Sequence, residues 1–313
     1  MNILVFGKDG QLGRAFQDQL LCAPFQNGNT ITFVGRNECD LSNAEQLRDI
    51  LKVHSPKLII NAAAYTAVDQ AESEADLALA INATAPELMA QYAVAQGATL
   101  LHFSTDYVFD GSKQGIYQES DTCNPLGIYG KTKEAGERAI TQAFANSMDA
   151  RYAILRTSWV YGEGANFIRT ILRLAKERPT LRVIADQYGV PTSANWLAEL
   201  GLQLVLDGTQ LRPLTSGIYN AVPRGETTWY GLASLAVQAA VDSGAVLQVD
   251  PNAITPISAA EYPLPAPRPM NSRLSTQKLQ FELERLGLVS KLPHWNTPWD
   301  EQVIAYVKRL TAS

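Results

Sequence analysis

Asn2-Ile3-Leu4-Val5-Phe6-Gly7-Lys8-Asp9-Gly10-Gln11-Leu12-Gly13 is the stretch that decides the fold. Ile3–Phe6 is apolar without alternation, as a strand buried on both faces of a parallel sheet requires. Three glycines follow, spaced G-x-x-G-x-x-G, and then a helical pattern that runs through Leu21. Strand, bare turn and helix in that order let a pyrophosphate approach the amides of a helix N-terminus. Gly7, Gly10, Gln11, Leu12 and Gly13 are therefore the expected pyrophosphate contacts. The same glycines would also suit a turn that only needs close helix–strand packing. Their place in the first βα turn favours the phosphate reading.

The sequence on either side of this unit keeps its rhythm. Ile31–Val34 reads as the second strand, with Gly35-Arg36 at its tip, where a dinucleotide fold reads the adenosine ribose. An acid there accepts from the 2′-hydroxyl of NAD, whereas an arginine pairs with the 2′-phosphate of NADP. Arg36 thus favours NADPH with NADH possible, the alternative being a solvated arginine. Asp40 and Leu41 are placed to flank the adenine, and Ser42 is a candidate N-cap for a helix to His54. Lys57–Asn61 reads as the third strand. It ends in Ala62, Ala63 and Ala64, then Tyr65 and Thr66, which would let a flat ligand lie on backbone. Small-residue packing under a helix accounts for the alanines equally well.

A helix over Ala83–Gln96 and a strand over Thr99–Ser104 come next. A hydroxyl and a carboxylate, Thr105 and Asp106, stand at that strand's tip beside Ser104, although Ser104 and Thr105 also suit a turn or cap. His102 lies inside the apolar run and reads as a packed core histidine. Tyr129 and Lys133 follow on a helix, four positions apart on one face. An ammonium so placed favours the tyrosinate and makes the phenol a better acid or base. Lys133 has an alternative partner in Glu137, one turn on. Lys131 points elsewhere at about 3.6 residues per turn and is left out of the site.

Composition sets the outer bounds. The chain has 313 residues, 46% of them hydrophobic, enough for a sizeable core. A net charge of −5 argues against nucleic-acid or anionic-membrane partners. Three scattered cysteines, Cys22, Cys39 and Cys123, fit neither a disulfide frame nor a zinc site. No metal site is expected. No apolar run approaches the ~18 residues of a membrane span. The N-terminus enters a strand directly, with no secretory signal, so a cytoplasmic protein is expected. Strand and helix alternate up to Gly162, which predicts an α/β fold with a doubly wound parallel sheet, a Rossmann domain over 1–162. A smaller mixed lobe over 163–313 is expected to carry substrate specificity, with about 194–222 packing back on the Rossmann domain. Prolines at 251, 256, 263, 265, 267 and 269 are expected to break up one segment of it.

Four segments together carry a resemblance: Gly7–Gly13, Asn61–Thr66, Ser104–Phe109 and Tyr129–Lys133. The chain resembles the extended short-chain dehydrogenase/reductase superfamily. Within it, Ala67–Glu74, Arg156–Tyr161, Asp186–Thr192 and Arg268–Leu274 are similar to the dTDP-4-dehydrorhamnose reductase family. The resemblance implies hydride transfer from NADPH to the C4 ketone of a dTDP-6-deoxy-4-keto-hexose. Tyr129 would protonate the C4 oxygen, Lys133 would lower its pKa and hold the nicotinamide ribose, and Thr105 would hydrogen-bond the same oxygen. Asp106 and Trp159 would face the sugar, Trp159 having a core position as its alternative. Asn166, Arg268, Asn271 and Arg273 are candidate donors to the dTDP pyrophosphate, with a surface role as the alternative for the arginines. Some members dimerise through magnesium held by glutamates. Ala15 and Asn195 stand at the matching positions, so magnesium is doubtful and a monomer or weak homodimer is expected. An epimerase of the same fold, or a non-catalytic nucleotide-binding subunit, remains the alternative. Dehydration is disfavoured because Tyr107 follows Asp106 where a dehydratase carries a second acid.

Overall fold

The protein is seen in a computed structural model, from which residues 1–22 and 25–312 are described. Its main strands, in chain order, are β1 (Asn2–Phe6), β2 (Thr30–Val34), β3 (Leu58–Asn61), β4 (Thr99–Thr105), β5 (Arg151–Thr157), β6 (Leu181–Ile184), β7 (Gly217–Asn220) and β8 (Ile254–Ile257). Six of them form one parallel sheet in the order β7-β5-β4-β3-β1-β2. The chain winds outward from β1 to β2 and returns to β3. The strand order therefore reverses beside the carboxyl end of β1, where doubly wound sheets open a crevice.

Helices cover both faces. The longer ones are α1 (Gln11–Leu20), α2 (Ala44–His54), α3 (Ala85–Gln96), α4 (Ile128–Ala143), α5 (Phe167–Glu177), α6 (Ala194–Val205), α7 (Trp229–Asp242), α8 (Gln277–Arg285) and α9 (Trp299–Ala312). The pleat of β1 sends Ile3 and Val5 into a core shared with α1, α6 and α8. It sends Leu4 and Phe6 into a second core with α2 and α3. Each such side chain contributes roughly 1.5–3 kcal/mol by leaving water, which is why the run lacks polar alternation. Helix α6 and strand β7, from the later half of the chain, belong to this layer: β7 pairs with β5, and α6 supplies nine buried residues. Beyond the sheet, α5, α7 and α9 pack together, with β6 and β8 paired alongside α5 and α7.

Three local details depart from the sequence reading. The N-cap of α2 is Asn43, whose side chain accepts from the Glu45 and Gln46 amides. Ser42 stands one position before the cap, and its amide and hydroxyl both donate to Asp40 Oδ1. The helix expected from Ala83 begins earlier: an α-helical turn at Ala75–Leu79 passes through a π turn at Ala80–Thr84 into α3. The proline-rich stretch still holds a strand, β8. Its Pro256 is tolerated because β8 pairs on one side only, with β6.

Candidate active site

A crevice of about 740 Å³ opens at the carboxyl ends of β1, β3, β4 and β5. Gly7, Gly10, Gln11 and Leu12 line its floor. Gly7 has φ +87, a left-handed backbone that a side chain would strain, and a Cβ there would lie 2.7 Å from the Ala63 nitrogen. Gly13 does not line the crevice; an added Cβ would collide with the Gly7 carbonyl, so this glycine lets α1 pack against the turn. Gly10 caps α1 without a side-chain hydrogen bond, and the first turn carries no acid. The open amides and positive helix end suit an anion. Ala62, Ala63, Ala64, Tyr65 and Thr66 form the next wall. Asn82, in the π turn, fixes that wall: it accepts from the Tyr65 amide at 2.8 Å and donates to the Tyr65 carbonyl at 3.1 Å.

Arg36, Asp40 and Leu41 line the far end beneath β2. Arg36 is exposed, and its charge helps hold the Asp40 carboxyl low, after the larger effect of the hydrogen bonds from Ser42. An ion pair stands beside it that the sequence reading did not find. Lys8 Nζ lies 2.6 Å from Glu38 Oε1, while Glu38 Oε2 accepts from the Gly35 amide. The rim of the β2 tip therefore carries both signs of charge.

The opposite end gathers Ser104, Thr105, Asp106, Tyr107, Tyr129 and Lys133. Thr105 Oγ1 donates to Asp106 Oδ1 at 2.9 Å. Among the described residues Asp106 Oδ2 meets no donor in hydrogen-bond geometry, and burial pushes this carboxyl up to about 6 against the pull of the Ser272 and Thr105 hydroxyls. The Tyr129 ring meets Tyr107 edge-on, with centroids 5.6 Å apart. Helix α4, which carries Tyr129, is capped from outside: Glu72 Oε1 accepts from the Ile128 amide at 2.8 Å. Gly130 and Gly136 let α4 lie against the Tyr107 and Asn82 backbones, where a Cβ would collide.

The expectation that Lys133 makes Tyr129 more acidic is corrected here. Burial pushes the phenol up to about 12; the Thr105 hydroxyl pulls against this and the Asp106 charge adds to it. Lys133 Nζ instead donates to the Phe103 carbonyl at 2.7 Å and lies 3.3 Å from His102 Nε2. Burial pushes Lys133 itself down to about 8, with Glu137 acting in the other direction. Nor does Lys133 hydrogen-bond Glu137, whose carboxylate binds Arg156.

Trp159 lines the crevice and stacks on Trp229 with ring centroids 3.7 Å apart. Its φ of 46 is a strained backbone for a bulky residue, held in place by that stack and by Gly189 beneath the indole. Trp229, Thr157 and Ser158 also line the crevice. Thr157 and Ser158 stand at the tip of β5, so the strand-end rule would have found them. Nothing local marks Trp229.

Asn166, Arg268 and Asn271 fall outside the lining. Asn166 caps α5 and donates to the Gly162 carbonyl and the Tyr306 hydroxyl. Arg268 forks onto Asp69 at 2.7 and 2.8 Å. Asn271 donates to the Lys113 and Gly115 carbonyls, and its oxygen accepts from Arg273. Arg273 also bonds the Gln114 carbonyl. A pyrophosphate reaching these residues would have to compete for donors already engaged. Ala15 is buried in the core beneath the sheet. Among the described residues no cluster of three or more His, Cys, Asp or Glu side chains is set to hold a metal ion.

A glycine cradle at the first βα turn and a Thr–Tyr–Lys group across one crevice define a nicotinamide-dependent oxidoreductase of the extended short-chain dehydrogenase/reductase class. Comparison with known proteins narrows this. The family model described as the RmlD substrate binding domain matches residues 1–309, and the chain belongs to that family. A dTDP-4-dehydrorhamnose reductase of Salmonella typhimurium is 43% identical over 94% of each chain. Among solved structures, a dTDP-4-dehydrorhamnose reductase of Clostridium acetobutylicum superposes with a TM-score of 0.84 at 32% identity, over 99% of each chain. One from Bacillus anthracis, in complex with NADP, gives 0.82 at 30% identity, again over 99% of each. Among the described residues no helix is long and apolar enough to cross a membrane.

Proposed function

We propose that this chain reduces the C4 ketone of dTDP-4-dehydro-β-L-rhamnose to dTDP-L-rhamnose with NADPH, in the cytoplasm, as a monomer or weak homodimer. The observation that carries the reading is the convergence of Tyr129, Thr105 and Lys133 on the crevice that Gly7 and Gly10 floor. The reductases named above supply the substrate class, and Arg36 at the β2 tip supports NADPH over NADH.

The residues fit a dinucleotide. At the floor a Cβ on Gly7 would run into the Ala62–Ala63 backbone, so the turn that carries the open amides depends on that glycine. Ser104 Oγ and Thr157 Oγ1, both on lining residues, have no hydrogen-bond partner among the described residues. When bound, a reduced nicotinamide supplies the hydride. Negative charge then builds on the C4 oxygen and must be met by a proton. With its pKa near 12, Tyr129 keeps its proton at neutral pH and can deliver it. Thr105 donates to the same oxygen, exchanging its bond to Asp106 for one to the substrate. Lys133 sits one turn along α4, where its Nζ would bind the ribose hydroxyls. Trp159, stacked on Trp229, gives the sugar or base an apolar wall. Rossmann residues 1–162 hold the cofactor, and the lobe over 163–313 selects the sugar.

Incubation with the dTDP-4-keto-L-sugar and NADPH tests this. The expected result is one NADPH oxidised per sugar reduced and a dTDP-L-rhamnose spectrum by NMR. Turnover without net NADPH oxidation would mean an epimerase, and would overturn the reading.

A further inference from the structure

Asn61, His102 and Lys133 form a chain of polar side chains sealed inside the sheet, with exposures of 0%, 0% and 1%. Asn61 and His102 are register partners on β3 and β4. Asn61 Oδ1 accepts from the Ala63 amide at 3.2 Å, which turns its Nδ2 toward His102 Nδ1, 3.0 Å away. An amide NH₂ only donates, so Nδ1 must accept, and a neutral ring then carries its proton on Nε2. That proton faces Lys133 Nζ at 3.3 Å. Two donors cannot share one bond, so this arrangement requires a neutral amine at Lys133. An ammonium there needs the opposite order: a lone pair on Nε2, a proton on Nδ1, and Asn61 Oδ1 turned to His102. Asn61 would then release the Ala63 amide, whose residue lines the nucleotide crevice.

We propose that Asn61 and His102 are positioning residues for Lys133, a buried donor–acceptor chain that ties the charge on Lys133 to the backbone amide of Ala63 in the crevice. The chain moves no proton to substrate. Reversing every donor direction in it turns the Asn61 amide over and gives up the hydrogen bond at Ala63, while Lys133 Nζ changes from acceptor to donor toward His102 Nε2. Burial works with this arrangement, since it disfavours both the imidazolium and the ammonium. The other titratable groups around Lys133 are few. From α4 come Tyr129 and Glu137; from β5 comes Arg156, which pairs with Glu137; from the end of β4 come Asp106 and Tyr107. Among the described residues none of them hydrogen-bonds His102, and Lys133 is the charge that acts on the ring, so the ring reports on Lys133.

The inference rests on Lys133 belonging to the catalytic site, but its test does not need turnover. The protein has three histidines, so ring ¹⁵N NMR of wild type, assigned with H102Q, isolates His102. The expected result is a ring that stays neutral from pH 6 to 10. Its proton should move from Nδ1 to Nε2 as pH rises through the Lys133 titration, and the Ala63 amide should shift with the same midpoint. An imidazolium in that range, or a tautomer and Ala63 amide that ignore pH, overturns the proposal. A second variant, N61D, offers an acceptor to both His102 and Ala63. It should pin the ring proton on Nδ1 and raise the Lys133 midpoint, moving the corresponding limb of the kcat/KM profile upward. A folded N61D with the wild-type midpoint also overturns it, and the wild-type measurement decides the matter should N61D not fold. Loss of activity with the linked titrations intact would count against the proposed reaction alone.

Discussion

Glu137 gives its carboxylate to Arg156, at 2.9 and 2.6 Å through Nε and Nη2, and both side chains are buried. The pair joins α4 to β5 and takes away the partner that Lys133 would otherwise find one turn along its own helix. A buried charge left alone is costly. Glu137→Gln, which strands the guanidinium, is expected to cost about 3–5 kcal/mol, a fall in melting temperature of roughly 10 °C. The double replacement of Arg156 by Met and Glu137 by Leu should recover most of that loss. Calorimetry of the three proteins checks this. Equal losses in the single and double variants would show that packing, and not the isolated charge, sets the cost.

Tyr129→Phe removes the phenol and leaves the crevice walls in place. Turnover should fall by about 10²–10⁴-fold, with NADPH affinity unchanged by fluorescence titration. Thr105→Val removes a donor to the developing oxyanion and should cost about 10²–10³ in kcat. A Tyr129→Phe enzyme at full speed would move the proton donor to another residue, Tyr107 being the nearest phenol.

The parts of this site legible in the sequence are those fixed by local rules. Gly7 announces a backbone turn because its left-handed φ of +87 and its close approach to Ala63 favour glycine. Ala62–Ala64 and Thr105–Asp106 follow apolar strands, and strand ends face the crevice in this fold. What escaped was decided by the choice of distant partners. Glu137 is equally close in sequence to Lys133 whether it binds Lys133 or Arg156. His102 reads as core because it is core, and only the β3–β4 register sets it against Asn61. Asn271 and Arg268 have the chemistry of phosphate donors, but the carbonyls at Lys113 and Gly115 come from a loop and the Asp69 carboxylate from a short helix, Val68–Ala71, and no local pattern brings them together. Trp229 sits far along the chain and enters the site only because α7 starts beneath Trp159.

Cofactor choice is testable at Arg36. Among the described residues no hydrogen bond holds this exposed side chain, so a 2′-phosphate can recruit it. Charge-assisted bonds of that kind contribute about 1.5–3 kcal/mol. Arg36→Ala should therefore raise the KM for NADPH by roughly ten- to a hundredfold and leave NADH almost unaffected. Parallel kinetics with the two cofactors check this. Equal losses for both would assign Arg36 to the adenine instead. Glu38→Gln frees Lys8 at the same rim and should act in the opposite sense, improving NADPH use.

Asp106 gives the fold a pH dependence of known sign. Its carboxyl titrates near 3.8 when exposed and near 6 in the folded protein, because burial penalises the charge. The folded state therefore keeps this proton longer than the unfolded state does. Stability from this group is full below about pH 4 and falls as pH rises through 6, by roughly 3 kcal/mol at most. Asp106→Asn has no proton to lose and should be spared that fall. Urea unfolding of both proteins should show similar stability at pH 4 and a more stable Asp106→Asn at pH 7. The reverse order at pH 7 would mean that the carboxylate, once ionised, finds donors that Oδ2 lacks in this structure. The same substitution should abolish the acidic limb near pH 6 in kcat/KM. Thr105 donates to Asp106, so the charge on that carboxylate helps decide whether the threonine hydroxyl is free to turn to substrate.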